Sequence, residues 1–124
     1  MASKYIALPH GVSEQTFDAA ISAFRGILGD SAVLVSAEHL APYIKTMMPV
    51  PDSDHAPSAA LMATTVEQVQ KIVGICNKYK VPVWPISTGK NLGYGSAAPA
   101  ERGQVVLDLK RMNRILEVDK DLAY

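Results

Sequence analysis

The stretch that decides the fold is "AALMATTVEQVQKIVGICNKYKVPVWPIS", residues 59–87. It opens with a short apolar run, residues 59–63, that suits a buried strand. Thr65 and Gln68 follow in the spacing of a helix-capping box. Val66, Val69, Ile72, Val73, Cys76 and Tyr79 then recur at helical intervals and predict one apolar face. "VPVWPIS", residues 81–87, reads as a second strand with Trp84 in the core. Strand, helix and strand within about 30 residues make a βαβ unit, whose two strands run parallel through a right-handed crossover. The fold class is therefore α/β.

Out of the second strand comes "PISTGKNLGYGSAAP", residues 85–99, at the carboxyl end where such sheets place their ligands. Gly89, Gly93 and Gly95 permit positive φ and let backbone N–H groups close around an anion, for which a diphosphate is the natural occupant. The spacing is not that of the GxxxxGK[ST] loop, and the following "SAAPAERG" lacks an amphipathic helix, so neither an ATPase loop nor a dinucleotide fingerprint is matched. Lys90 either neutralises phosphate or is simply solvated. On glycine content alone, a phosphate cradle and a plain turn between strands stand level.

Upstream, Phe17, Ala20, Ile21, Phe24 and Leu28 predict a helix capped by Ser13 and stopped at Gly29. A short apolar run at Val33–Val35 and a helical turn near Glu38 lead into a connector broken by Pro42, Pro49, Pro51 and Pro57. Downstream, residues 103–110 are a further strand, and the alternation across residues 113–119 predicts a half-buried one. The closing "DKDLAY" shows no turn or cap, so the chain is expected to stop partway through a larger fold. The organisation read from this is an N-terminal helical extension and connector, residues 1–54, followed by a subdomain over residues 55–124.

Composition removes several function classes. Twelve basic residues balance twelve acidic ones among 124, which leaves no electrostatic surface for nucleic acid or anionic membrane. No apolar run approaches the roughly 20 residues of a membrane helix. "MASKYIALPHG" lacks a signal-peptide core, which reads as cytoplasmic, with the periplasm left open should the chain be exported alongside a cytochrome. The single cysteine, Cys76, forms no internal disulfide, and no His/Cys cluster has zinc spacing. Cys76 reads as an inert core thiol and Met47 and Met48 as packing residues, while His10 and His39 lack catalytic partners and belong on the surface.

Three ordered blocks carry a resemblance: "HAPSAALMATTVEQVQKIV" (55–73), "PVWPISTGKNLGYGSAAP" (82–99) and "RGQVVLDLKRMNRILEVD" (102–119). In their order and spacing they resemble the vanillyl-alcohol oxidase and p-cresol methylhydroxylase family of flavoproteins, and its cresol branch most closely. The resemblance implies an enzyme that is α+β overall, with this chain as the N-terminal part of its FAD-binding domain. The cofactor implied is FAD, with the pyrophosphate cradled by the backbone of Ser87, Thr88, Gly89, Lys90, Asn91, Leu92 and Gly93, and with side-chain bonds from Thr88 and Asn91. No metal is implied.

Two further residues take roles from the same resemblance. Tyr94, which alone would read as a ring covering the loop, matches a tyrosine whose hydroxyl binds the substrate's phenolate oxygen. His55, otherwise a surface histidine, matches a position near the flavin ring that assists covalent attachment. The attaching residue itself, a histidine or in the cresol branch a tyrosine, falls beyond residue 124.

The implied chemistry is oxidation of a para-alkyl phenol such as 4-cresol, by hydride transfer to flavin and water addition to a quinone methide. Electrons pass to a cytochrome c subunit in a dehydrogenase, or to dioxygen in an oxidase. A homo-oligomer of the full-length flavoprotein is expected. A non-catalytic nucleotide-binding module remains the alternative of another class.

Overall fold

The computed structural model describes residues 2–90 and 96–124. Its frame is a four-stranded sheet of β1 (Val33–Leu34), β2 (Ala59–Met62), β3 (Val83–Ile86) and β4 (Val105–Asp108), in the order β1-β2-β4-β3. β2 and β3 are parallel, as the βαβ reading requires, but they are not neighbours. β4 lies between them and is parallel to both, with Ala60 and Trp84 each opposite Val106. β1 pairs antiparallel with β2, so the region before residue 55 contributes to the same sheet.

β4 is buried at every position because it is central and covered on both faces, which is why "VVL" shows no polar alternation. Its odd-numbered residues, Val105 and Leu107, join Ala59 and Leu61 beneath two helices, α1 (Glu14–Leu28) and α3 (Val66–Tyr79). Phe17, Ile21 and Phe24 of α1 and Ile72 and Cys76 of α3 fill that layer. Ala60 and Val106 face the other way, onto Leu40 and Tyr43. Those two come from a short helix α2 (Ala37–Leu40) and the 3-10 turn Ala41–Tyr43 that continues it.

The caps follow the sequence with one shift. Ser13 accepts from the N–H of Thr16 and Gly29 closes α1, its N–H donating to Arg25. Thr65 accepts from the N–H of Gln68, but the Gln68 side chain reaches back to the N–H of Thr64 rather than to Thr65, one residue outside the expected box. β3 tolerates Pro85 because it is an edge of the sheet among the described residues. The carbonyls of Pro82 and Ile86 accept from β4, so the strand's alternation turns the nitrogen of Pro85 outward, where no ladder bond is needed.

Several expectations need correction. Residues 113–119 form no strand: Ile115, Leu116 and Val118 are 78%, 82% and 77% exposed, so neither parity of the alternation is covered. Alternation specifies the face a strand would bury, whereas a ladder needs a partner, and none is present among the described residues. The closing residues do contain a turn, in which Oδ1 of Asp119 accepts from the N–H groups of Asp121 and Leu122. Trp84 is half-buried because β3 is an edge. On α3, Val66 and Val73 are exposed, while Ile72 and Cys76 carry the contact. Met47 and Met48 lie exposed on the connector instead of packing. Among the described residues, no helix is long and apolar enough to cross a membrane.

Candidate functional site

The segment leaving β3 begins at Ser87, directly after Ile86, whose carbonyl is held by the N–H of Leu109 at 2.9 Å. The backbone N–H groups of Ser87, Thr88, Gly89 and Lys90 have no hydrogen-bond partner among the described residues. Ser87, Thr88 and Lys90 are exposed. A run of open donors at the carboxyl end of a parallel strand is a ready anion site. Lys90 adds a cation that makes no ion pair among the described residues. Ser87, Gly89 and Lys90, together with Trp84, Pro85, Ile86 and Ser96, line a cleft of about 180 Å³.

The turn is shaped by a close approach. Gly89 has φ +71°, and a Cβ there would stand 2.7 Å from the Cβ of Ala97. Ala97 itself packs on the cluster of Leu40, Tyr43, Ala60 and Val106. The outgoing and returning arms of the segment thus touch each other over the face of the sheet opposite the long helices.

His55 stands elsewhere. It precedes β2 and Ser87 follows β3, and since those strands are parallel the two residues lie beyond opposite ends of the sheet. The Nδ1 of His55 meets the carbonyl of Pro99 at 2.9 Å and must carry the proton, because a carbonyl can only accept. His55 therefore anchors the far end of the returning segment and does not join Ser87 to Lys90. Asn91, Leu92, Gly93 and Tyr94 lie outside the described residues. His10 and His39 are exposed, as expected, and among the described residues no group of three or more His, Cys, Asp or Glu could hold a metal.

A buried polar network beside the cleft was missed by the sequence reading. Asp108, 1% exposed, receives the hydroxyl of Tyr43 at 2.6 Å and the backbone N–H of Lys110 at 3.0 Å, and pairs with the Lys110 ammonium at 3.0 Å. Burial works to raise the Asp108 carboxyl, but the bonds from Tyr43 and Lys110 outweigh it and hold the group below its ordinary value. Burial, and then the hydrogen bond to that carboxylate, push the Tyr43 phenol well above its own. The available signal was parity: Asp108 continues the phase of Val106 toward the face that Tyr43 covers.

A larger cleft, about 490 Å³, lies between the start of α3 and residues 111–116. Its walls include the exposed apolar Val66, Met112 and Leu116. The smaller cleft is the better candidate site because it is lined by Ser87, Gly89 and Lys90, whose N–H groups are unbonded among the described residues.

Residues 57–124 match the family described as FAD binding domain. The chain belongs to that family. FAD is accordingly its cofactor, and the residues present suit one part of it: N–H groups and a lysine without partners among the described residues, with a tight glycine turn, fit a pyrophosphate. The 4-cresol dehydrogenase [hydroxylating] flavoprotein subunit of Pseudomonas putida is 58% identical over 94% of this chain, which spans 22% of that protein. A structure of p-cresol methylhydroxylase with substrate bound superposes with a TM-score of 0.89 at 59% identity, covering 91% of this chain and 22% of the other. The 4-ethylphenol oxidase of Gulosibacter chungangensis, in an isoeugenol complex, gives 0.87 at 40% identity over 94% of this chain and 22% of the other. The resemblance to p-cresol methylhydroxylase-type flavoproteins is thereby borne out. The chain spans about a fifth of the length of these relatives.

Proposed function

We propose that this chain is the pyrophosphate-holding part of a flavoprotein that oxidises para-alkyl phenols. The observation that carries the reading is the row of open N–H donors from Ser87 to Lys90, standing in a chain 58% identical to a 4-cresol dehydrogenase subunit. Ser87, Thr88, Gly89 and Lys90, continuing through Asn91, Leu92 and Gly93, would hold the two phosphates, with Lys90 offsetting their charge. His55 would act at a distance, by fixing Pro99 and hence the path of the returning segment. FAD would accept the hydride that leaves the benzylic carbon, and water would add to the quinone methide so formed.

Tyr94 is assigned to the substrate. Its hydroxyl would donate to the phenolate oxygen, favouring the electron-rich form from which hydride departs. Electron transfer to a cytochrome subunit is preferred over dioxygen, because the more similar relative is a dehydrogenase and the oxidase is the more distant one. The rest of the phenol pocket and the flavin-attaching residue would be supplied by further sequence.

The test uses the full-length protein that carries this sequence. It should be yellow, and its flavin should be bleached anaerobically by 4-cresol and reoxidised faster by cytochrome c than by air. A colourless protein that takes up no added FAD would overturn the cofactor site. A yellow one indifferent to 4-cresol and other para-alkyl phenols would overturn the substrate class. The isolated 124-residue chain should turn over no 4-cresol.

A further inference from the structure

The network of Tyr43, Asp108 and Lys110 is not explained by stability alone. The Lys110 side chain is half exposed, so its pairing with Asp108 is screened by water and adds little. What the network does have is a position. Asp108 is the last residue of β4 and lies opposite Ile86, the last residue before the phosphate-holding segment. The next residue, Leu109, bonds the Ile86 carbonyl, and the N–H after that folds back onto the Asp108 carboxylate.

On the other side, the ring of Tyr43 belongs to the cluster against which both Ile86 and Ala97 pack. Ile86 enters the segment and Ala97 returns from it, and Ala97 is the residue that the bare α-carbon of Gly89 abuts. The cluster that Tyr43 helps to build therefore underlies both ends of the segment, and the Tyr43 hydroxyl is tied to the strand end that fixes the first of them.

We propose that Tyr43 and Asp108 are positioning residues for the phosphate-holding segment, a strut through which the N-terminal region sets the aim of the N–H groups from Ser87 to Lys90. This rests on the reading of those N–H groups as the pyrophosphate site. Neither side chain touches the ligand. The strut acts by keeping Ile86 and Ala97 at a fixed separation, so that binding finds the donors already aimed.

The experiment compares ADP with adenosine on the full-length protein prepared without flavin, by calorimetric titration. The difference between the two ligands isolates the phosphates. Tyr43→Phe keeps the ring and should weaken ADP about tenfold, the equivalent of one lost charge-assisted hydrogen bond, while adenosine changes by less than about twofold. Asp108→Asn, which retains a hydrogen-bonding partner for Tyr43, should fall between Tyr43→Phe and the parent. A merely structural role would weaken both ligands equally, or neither while the melting temperature falls, and either result overturns the proposal. Lys90→Ala and Gly89→Ala separate the two levels. If they leave ADP affinity intact, the pyrophosphate reading itself fails; if they weaken ADP and the strut variants do not, only the strut fails.

Discussion

A Cβ placed on Gly103 would stand 2.1 Å from the carbonyl oxygen of Leu8, and the glycine holds φ at +89°. The N-terminal arm thus crosses the backbone just before β4 with no room for a side chain. Arg102 secures the same crossing, its guanidinium donating to the carbonyls of Ser53 and Ile6. Gly103→Ala combines a left-handed backbone with a backbone clash and should destabilise by about 2–4 kcal/mol, measured as a shift in denaturant midpoint. Gly89→Ala meets the Cβ of Ala97 at 2.7 Å, a methyl that moves only with its backbone, and should cost less than the 2.1 Å carbonyl clash, about 1–3 kcal/mol from φ and the clash together. Equal effects at the two sites would refute the distinction.

Acid should act through two carboxylates. Asp18 is held low by hydrogen bonds from Lys4 and Tyr5, and Asp108 by Tyr43 and Lys110 against its own burial. A folded-state value below the unfolded one means that the stabilisation is complete above about pH 4 and is lost as pH falls through the folded values. Urea midpoints should be flat from pH 7 to 5 and drop below 4. Asp108→Asn should flatten that drop, and an unchanged acid limb in this variant would contradict the assignment.

Burial pushes the Cys76 thiol up to about 11. Almost no thiolate exists at pH 8, so iodoacetamide should leave native protein unlabelled and label it promptly in urea. The sign of the linkage is opposite to that of the carboxylates: the contribution is intact below the unfolded thiol value and fades as pH climbs toward 11. Rapid native labelling at pH 8 would place the thiol outside the α1–α3 layer.

Tyr94→Phe in the full-length protein tests the substrate role. Removing the donor should leave less of the bound substrate as phenolate, the form from which hydride departs, and should slow flavin reduction by 4-cresol roughly ten- to a hundredfold. A structural hydroxyl would instead cost about 1 kcal/mol of stability and leave reduction alone. Stopped-flow reduction beside a thermal melt distinguishes the outcomes, and a parental reduction rate would remove Tyr94 from the chemistry.

Long helices and their caps were legible because each rests on local spacing: Ser13 and Gly29 bound α1, and Ile72 and Cys76 mark the buried face of α3. The fate of residues 113–119 was not, since alternating Ile115 and Leu116 look the same whether or not a neighbouring strand arrives to pair with them. The order of strands was also hidden, because β4 enters the sheet through register with Ala60 and Trp84 and no local signal records those partners. At the site, the glycine-rich segment announced itself through composition. The Tyr43–Asp108 bond, between residues 65 apart, left only the parity of one aspartate as a trace.

The place of β4 bears on the order in which the molecule is made. Until residues 105–108 have been synthesised, β3 lacks the strand it bonds, since among the described residues its neighbour in the sheet is β4. β2, α3 and β3 can emerge from a ribosome and still leave a strand-wide gap between them. Only the late strand closes that gap, and non-local closure of this kind is slow. The segment from Ser87 to Gln104 is anchored at both ends only after that event. Ligand capture there must wait for that closure, when the donors first acquire a fixed direction.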